Sequence, residues 1–357
     1  MEQFLAEDIS DFTSYKYMVW ARKYSRPVSA TWEITNACNL SCKYCGLDSG
    51  RPLEDELSIE EACELIDNIS EAGTASLMIL GGEPTVRRDL PYIVEYASLF
   101  MSTGINTNGI LLDKDYARRL EGAGLHEVKV SIDGPQTHDL TRGEGSYGKA
   151  LAAIGACKDA GISSVVIETT VSQLNYGELP DIVELASELD TALVVNEFIP
   201  FGRAQGMPGL ALSREQRKGM QRYLLDLQKQ GGKISFENRY IISEDRDLME
   251  MCVSPLSREA NVGCCAGIFA YGIRPNGKVL PCPCLRIEVG DLRNERLSEI
   301  WVNSDVLRIL RNRDLGGKCG RCEYRFICGG CRGRTYVATG DFMAEDPWCW
   351  YEPQLRG

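Results

Sequence analysis

From residue 30 to about residue 201, short apolar runs alternate with longer stretches whose apolar residues recur near every 3.6 positions. The short runs predict strands at Thr31–Thr35, Ser76–Leu80, Gly104–Thr107, Glu127–Ile132, Val165–Val171 and Leu193–Phe198. The stretches between them predict helices over Ser58–Ala72, Leu90–Phe100, Lys114–Gly122, Tyr147–Ala160 and Tyr176–Leu189. Ser58 followed three residues later by Glu61 reads as a capping box at a helix start. Six alternations of strand and helix imply right-handed βαβ units and a parallel sheet. Six units fall short of the eight of a closed barrel, so the expected class is α/β, a partial (β/α)6 TIM-like barrel.

The pattern changes after Pro200. Ser213–Gln230 reads as one long amphipathic helix; beyond it Gly, Pro and Cys rise and the alternation stops. The expected division is residues 1–29 as an N-terminal helical segment, 30–235 as the barrel and 236–357 as a cysteine-rich domain. No internal repeat or low-complexity tract is visible.

Composition narrows the function. The 357 residues are 44% hydrophobic and 25% charged, a globular balance, and the net charge of −12 argues against bulk nucleic-acid binding. No apolar run approaches the roughly 20 residues of a membrane span, and the first ten residues lack a secretory signal's basic start and apolar core. The expected address is the cytoplasm. There, 15 cysteines need a use other than disulfides, and only two histidines (His126, His138) are available for mixed zinc sites. Thiolate-bound metal is the leading expectation.

The sharpest motif is Cys38-x3-Cys42-x2-Cys45, directly after the first strand, where parallel α/β folds place their chemistry. Three thiolates leave one iron of a four-iron cluster without a protein ligand, open to another molecule. A zinc site lacking its fourth ligand, or unrelated thiols, are the plain alternatives. At the end of the second strand stands Gly81-Gly82-Glu83-Pro84, whose glycines allow close backbone approach and whose carboxylate suits an ammonium group.

This pair of motifs, in this order on this pattern, resembles the radical S-adenosylmethionine (SAM) superfamily over residues 31–200. The resemblance implies that Cys38, Cys42 and Cys45 hold a [4Fe–4S] cluster that chelates SAM and cleaves it to a 5′-deoxyadenosyl radical, which takes a hydrogen atom from substrate. It implies that Gly81, Gly82 and Glu83 hold the methionine amino group and that Tyr44 lies against adenine. Ser131 and Asp133, in Ser-Ile-Asp-Gly-Pro, are expected ribose or carboxylate contacts, with Arg142 a lesser candidate and Asn196 in reach of adenine. Each of these last four reads equally as a turn or cap residue.

Ten further cysteines follow residue 250. The run Cys319-x2-Cys322-x5-Cys328-x2-Cys331 would by spacing alone also suit structural zinc. Together with Cys265, Gly277, Cys282 and Cys349, residues 264–349 resemble the SPASM extension of that superfamily, which implies two auxiliary [4Fe–4S] clusters. The last gap in the run is two residues where the usual form has three. By this resemblance Cys265 or Cys264, Cys282 and Cys331 serve the first auxiliary cluster, with Cys284 a candidate fourth ligand. Cys319, Cys322, Cys328 and Cys349 serve the second. Cys63 and Cys157 lie in helical apolar patterns and read as core filler; Cys252 has no assignment. No catalytic role is expected of His126, before a strand, or of His138, in a turn.

Within the SPASM group the tail and the opening Arg26-Pro-Val-Ser-Ala-Thr-Trp resemble the tetrapyrrole branch of heme and heme d1 biosynthesis, and the tail also resembles peptide maturases. The first implies oxidative decarboxylation of Fe-coproporphyrin III propionates; the second, modification of a short ribosomal peptide. The electron needed in either case implies a reducing partner such as flavodoxin or ferredoxin. Arg203, Arg274, Arg286, Arg332 and Arg334 are the arginines expected near the barrel mouth to receive substrate carboxylates, with internal salt bridges as the alternative. A non-catalytic iron–sulfur electron carrier is a third reading, one that has no need of Gly81-Gly82-Glu83.

Overall fold

The computed structural model describes residues 26–236, 263–326 and 328–353. The expected N-terminal segment up to residue 25, and Cys252, lie outside the described residues. Strands β1 (Ser29–Glu33), β2 (Ser76–Leu80), β3 (Ser102–Thr107), β4 (Glu127–Ser131), β5 (Ser164–Val171) and β6 (Ala192–Glu197) pair in sequence order, all parallel. Between them run α1 (Ile59–Glu71), α2 (Leu90–Ser98), α3 (Lys114–Gly122), the short α4 (Thr137–Arg142), α5 (Ser146–Ala160) and α6 (Leu179–Glu188). Ser58 caps α1 with the expected reciprocal bonds to Glu61. Helix α4 holds His138, which is therefore helical rather than in a turn.

The sheet is wider than six strands. After α7 (Arg214–Lys229), which starts at a second capping box on Ser213, β7 (Ile234–Phe236) joins β6 in parallel. On the opposite edge β8 (Ala270–Ile273) pairs in parallel with β1. Strands β9 (Lys278–Leu280) and β10 (Gly290–Asp291) extend that edge antiparallel, giving a ten-stranded open order β10-β9-β8-β1-β2-β3-β4-β5-β6-β7. The cysteine-rich part is thus built onto the barrel through backbone pairing. It continues as α8 (Leu297–Asn303), α9 (Asp305–Asn312), α10 (Gly317–Arg321) and α11 (Arg332–Thr339).

Alternation along each strand separates two faces. Trp32, Ile79, Ile105, Val128, Ile167 and Val195 are buried under the helices, with Cys157 fully buried among them; Cys63 is only half-buried and is not part of that core. The other face carries half-buried polar positions, Thr31, Asn106, Lys129, Ser131, Glu168 and Asn196. An aliphatic shell around a polar concave face leaves the C-terminal strand ends as the place for chemistry.

Candidate active site and auxiliary cysteine centres

The loop carrying Cys38, Cys42 and Cys45 is fixed from several sides. Its base is tied by Cys38 N–H to the Gly50 carbonyl (3.1 Å) and Gly50 N–H to Asn36 (3.0 Å), and Glu56 accepts from Thr35 Oγ1 (2.8 Å) and Asn36 N–H (2.7 Å). Arg203 donates to the carbonyls of Cys42 (2.7 Å) and Ser49 (2.6 Å) and pairs with Asp48. Leu40 N–H points at Cys38 Sγ (3.4 Å). Gly81 and Gly82 back the loop: Gly82 N–H bonds to Thr35 (2.8 Å) and Glu83 N–H to Ala37 (2.9 Å). A Cβ on Gly81, at φ +153°, would overlap the Thr35 carbonyl, and one on Gly82 the Ala37 carbonyl. The close approach these glycines permit is therefore first of all to the cysteine loop itself.

Glu83 is fully buried and accepts from Thr85 N–H (3.1 Å), Thr85 Oγ1 (2.5 Å), Thr107 Oγ1 (2.7 Å) and Asn108 N–H (2.7 Å). Burial raises its carboxyl above the usual range, against the lowering effect of these donors. The carboxylate thus knits the ends of β2 and β3 together, whatever further contact it makes.

Tyr44, Asp133 and Arg142 meet in one buried cluster. Arg142 holds Asp133 through both oxygens (2.7 and 3.0 Å), Tyr44 donates its hydroxyl to Asp133, and Thr141 adds a third donor (3.0 Å). Burial alone would raise the Asp133 carboxyl; the Arg142 charge and these bonds hold it below the ordinary carboxylate range. The ring of Tyr44 stands edge-on to Phe198 (6.0 Å). His138 Nδ1 accepts from Asp133 N–H (3.2 Å), and burial with the nearby Arg142 charge lowers its imidazole to about 4. Ser131 faces Asn106 (3.4 Å). Asn196 Oδ1 is buried without a protein partner, an orphaned acceptor that suits a bound polar group.

The expected free arginines are a different matter. Arg332 and Arg334 are fully buried and bonded within the chain, and Arg203 is committed to the cysteine loop. Arg274 pairs with Glu288 (2.7 Å) and Arg286 with Glu33, and only these two and Arg203 keep partial exposure, near 30%. An acidic chain uses its arginines internally, where neutralising buried carboxylates outweighs presenting them to solvent.

In the C-terminal part, Cys319, Cys322, Cys328 and Cys349 line a single cleft of about 320 Å³, solvent mouth included, with Lys318, Tyr324, Arg325 and Tyr351. These are the four thiols expected to share one cluster. Cys264 N–H bonds to the Cys328 carbonyl (3.1 Å), the Cys264 and Cys331 thiols interact electrostatically, and Cys284 packs on Gly333, where a Cβ would come within 2.7 Å of it. Main-chain N–H groups are aimed at the sulfurs of Cys282 (3.4 Å), Cys319 (3.3 Å), Cys328 (3.4 Å) and Cys331 (3.5 Å). Such donors stabilise thiolates around iron–sulfur clusters. As bare thiols Cys38 is pushed up to about 11 and Cys322, Cys331 and Cys349 to about 12 by burial, so a bound cation is needed to hold them ionised. Among the described residues no three His, Cys, Asp or Glu side chains close on a single ion, whereas a cluster holds its thiolates further apart. Sequence reasoning missed Glu56, Glu197, Arg217, Asp346 and Trp348, whose side-chain partners no motif marks.

A parallel partial barrel with a three-cysteine loop on its catalytic rim, extended by a second thiol-lined cleft, defines an enzyme that works through iron–sulfur clusters. Residues 32–186 match the radical SAM superfamily and residues 264–323 an iron–sulfur cluster-binding domain, SPASM. An AdoMet-dependent heme synthase of Methanosarcina barkeri is 34% identical over 342 residues, 92% of this chain and 97% of that one. The mycofactocin maturase MftC of Mycobacterium ulcerans is 29% identical, covering 90% and 88% of the two chains. The structure of Streptococcus suis SuiB bound to S-adenosylmethionine matches in fold, with a TM-score of 0.70 at 18% identity over 94% of this chain and 81% of that one. The chain belongs to the radical SAM superfamily, is an enzyme, and uses iron–sulfur clusters and S-adenosylmethionine as cofactors. Among the described residues no helix is long and apolar enough to cross a membrane.

Proposed function

We propose that this enzyme oxidatively decarboxylates propionate side chains of Fe-coproporphyrin III, forming vinyl groups in heme biosynthesis in the cytoplasm. The observation that carries the reading is the likeness to AdoMet-dependent heme synthases along nearly the whole of both chains. When bound, the cluster at Cys38, Cys42 and Cys45 supplies one electron to cleave SAM and so a radical able to take one hydrogen atom. Each propionate then gives up one β-hydrogen atom, one CO2 and one electron, leaving a vinyl group. An external donor such as flavodoxin or ferredoxin would supply the first electron, and a cluster held by the auxiliary cysteines would supply an acceptor for the last. The chain's own residues organise the site: Glu83 and Gly82 hold the cysteine loop against β2, Tyr44, Asp133 and Arg142 brace its far side, and Asn196 offers an acceptor to the adenine. Arg274 and Arg286, ion-paired to Glu288 and Glu33 but still partly exposed, would meet substrate carboxylates by exchanging those partners.

The test is anaerobic incubation of reduced, reconstituted enzyme with SAM and Fe-coproporphyrin III. The expected result is 5′-deoxyadenosine above the blank rate with mass losses of CO2 and hydrogen. A blank rate with unchanged porphyrin overturns the assignment. The likeness to MftC supports a second reading, modification of a ribosomal peptide; it is the one to adopt if turnover occurs only with such a peptide.

A further inference from the structure

Between β6 and the cysteine-rich part lies a fully buried group of four charges. Glu197, at the end of β6, pairs with Arg217 of α7 and with Arg334 of α11 (2.9 Å); Arg334 pairs in turn with Asp346 (2.7 and 3.2 Å). All four side chains are under 5% exposed, and both guanidinia lie over the Trp348 ring at 4.8 and 5.1 Å. Two carboxylates and two guanidinia balance, as buried charges must.

Asp346 is the member with the most cysteine contacts: it touches three. Its Oδ2 accepts from Cys331 N–H (2.9 Å), its own N–H points at Cys319 Sγ (3.3 Å), and its carbonyl accepts from Cys349 N–H (3.2 Å). Arg334 N–H points at Cys331 Sγ (3.5 Å). Gly330, at φ +62°, makes room: a Cβ there would stand 2.9 Å from the Asp346 Cβ. Cys319 and Cys349 line the cleft of the second auxiliary site, and Cys331 is the residue expected in the first.

We propose that Asp346, locked by Arg334 to Glu197, is a positioning residue common to both auxiliary clusters, fixing a ligand of each against the barrel. The proposal rests on the two-cluster reading of the C-terminal cysteines. Removing its charge leaves Arg334 short of a partner beside both sites, which favours the reduced, more negative form of each cluster. Asp346→Asn is therefore expected to move the midpoint potentials of both auxiliary clusters upward in an electron paramagnetic resonance redox titration, leaving the potential of the cluster at Cys38, Cys42 and Cys45 in place. A shift in one auxiliary signal alone, or in neither, with full iron content overturns the proposal. If Asp346→Asn does not take up iron, Arg334→Lys, which keeps the charge but loses the two-pronged grip, decides: altered signals from both auxiliary sites support it, and an altered signal from one or none overturns it. Wild-type iron near twelve per chain accompanies the experiment; about four would overturn the cluster reading and this proposal with it.

Discussion

In the barrel the largest fully buried side chains are Trp32 and Phe198, followed by Ile34, Ile66, Ile69, Leu77 and Ile79, all aliphatic or aromatic. In residues 313–353 they are Arg313, Arg332 and Arg334, each at or below 1% exposure. Strands β1 to β6 and helices α1 to α7 run five to sixteen residues, whereas α10 and α11 have five and eight residues and little apolar surface to bury. Arg332 shows how the second region compensates: it donates to the carbonyls of Phe342 (2.8 Å) and Ala344 (2.7 Å) and reaches Cys319 Sγ (3.8 Å). Where hydrophobic burial is scarce, charged hydrogen bonds to loop carbonyls and bound metal must supply order. One chain thus joins a fold held by apolar packing to a region with little of it, whose order is expected to depend on bound clusters.

Iron removal should separate the two regions most. Chelation and reduction are expected to leave the amides of β1 to β6 protected in hydrogen exchange while those of residues 313–353 become exchangeable within seconds to minutes, because the metal's binding energy is folding energy for that region. Equal protection of both regions after iron loss would show that the arginine framework suffices alone.

A pair of substitutions sharpens the same contrast. Arg334→Met strands Asp346 in the interior and leaves Glu197 with Arg217 alone, at a cost of about 3–5 kcal/mol in the iron-loaded protein. Ile79→Ala opens a cavity in the barrel core, at about 2–5 kcal/mol. The two are comparable in size but not in conditions. Denaturant midpoints should show the Arg334 cost vanishing once iron is removed and the Ile79 cost persisting. An Arg334 effect independent of iron would place that network in the barrel's stability rather than in the cluster region's.

The same contrast explains what could be read from the sequence. β2 and α3 fall where the periodicity puts them, because a parallel strand or an amphipathic helix repeats its apolar signal over five to nine residues. β1 begins two residues earlier and ends two earlier than expected, since Thr35 turns its hydroxyl to Glu56 and to Ala37 N–H and so opens the cysteine loop. β7, β8 and the antiparallel edge carry only two to four residues each in Gly- and Cys-rich surroundings, too short for any period to show. At the site, the cleft holds Cys319, Cys322, Cys328 and Cys349, the set that the family resemblance implied, whereas spacing alone groups Cys331 with the first three. The charges around them leave no mark in the spacing: Glu197 and Arg334 are 137 positions apart, and Arg286 and Glu33 are 253 apart. That is why the sequence leaves open what five arginines do, while in the fold four are ion-paired and Arg332 is bonded to loop carbonyls.

The smallest expected effect belongs to the barrel and to pH. His138 is 1% exposed, its Nδ1 accepts from Asp133 N–H, and its imidazole is lowered to about 4. Above the unfolded value of about 6.5 the ring is neutral in both states and stability is flat. As pH falls from about 6.5 toward 4 the unfolded chain takes up a proton that the folded barrel refuses, so stability drops, by at most about 2–3 kcal/mol. Asp133, held below the ordinary carboxylate range, loses its own contribution only at still lower pH, outside this window. His138→Asn can keep an acceptor for Asp133 N–H while removing the titration. Urea midpoints of the chelated protein, followed by a barrel signal between pH 7 and pH 4, should then fall less steeply in the variant. An unchanged slope would show that His138 is not the source of the barrel's acid sensitivity.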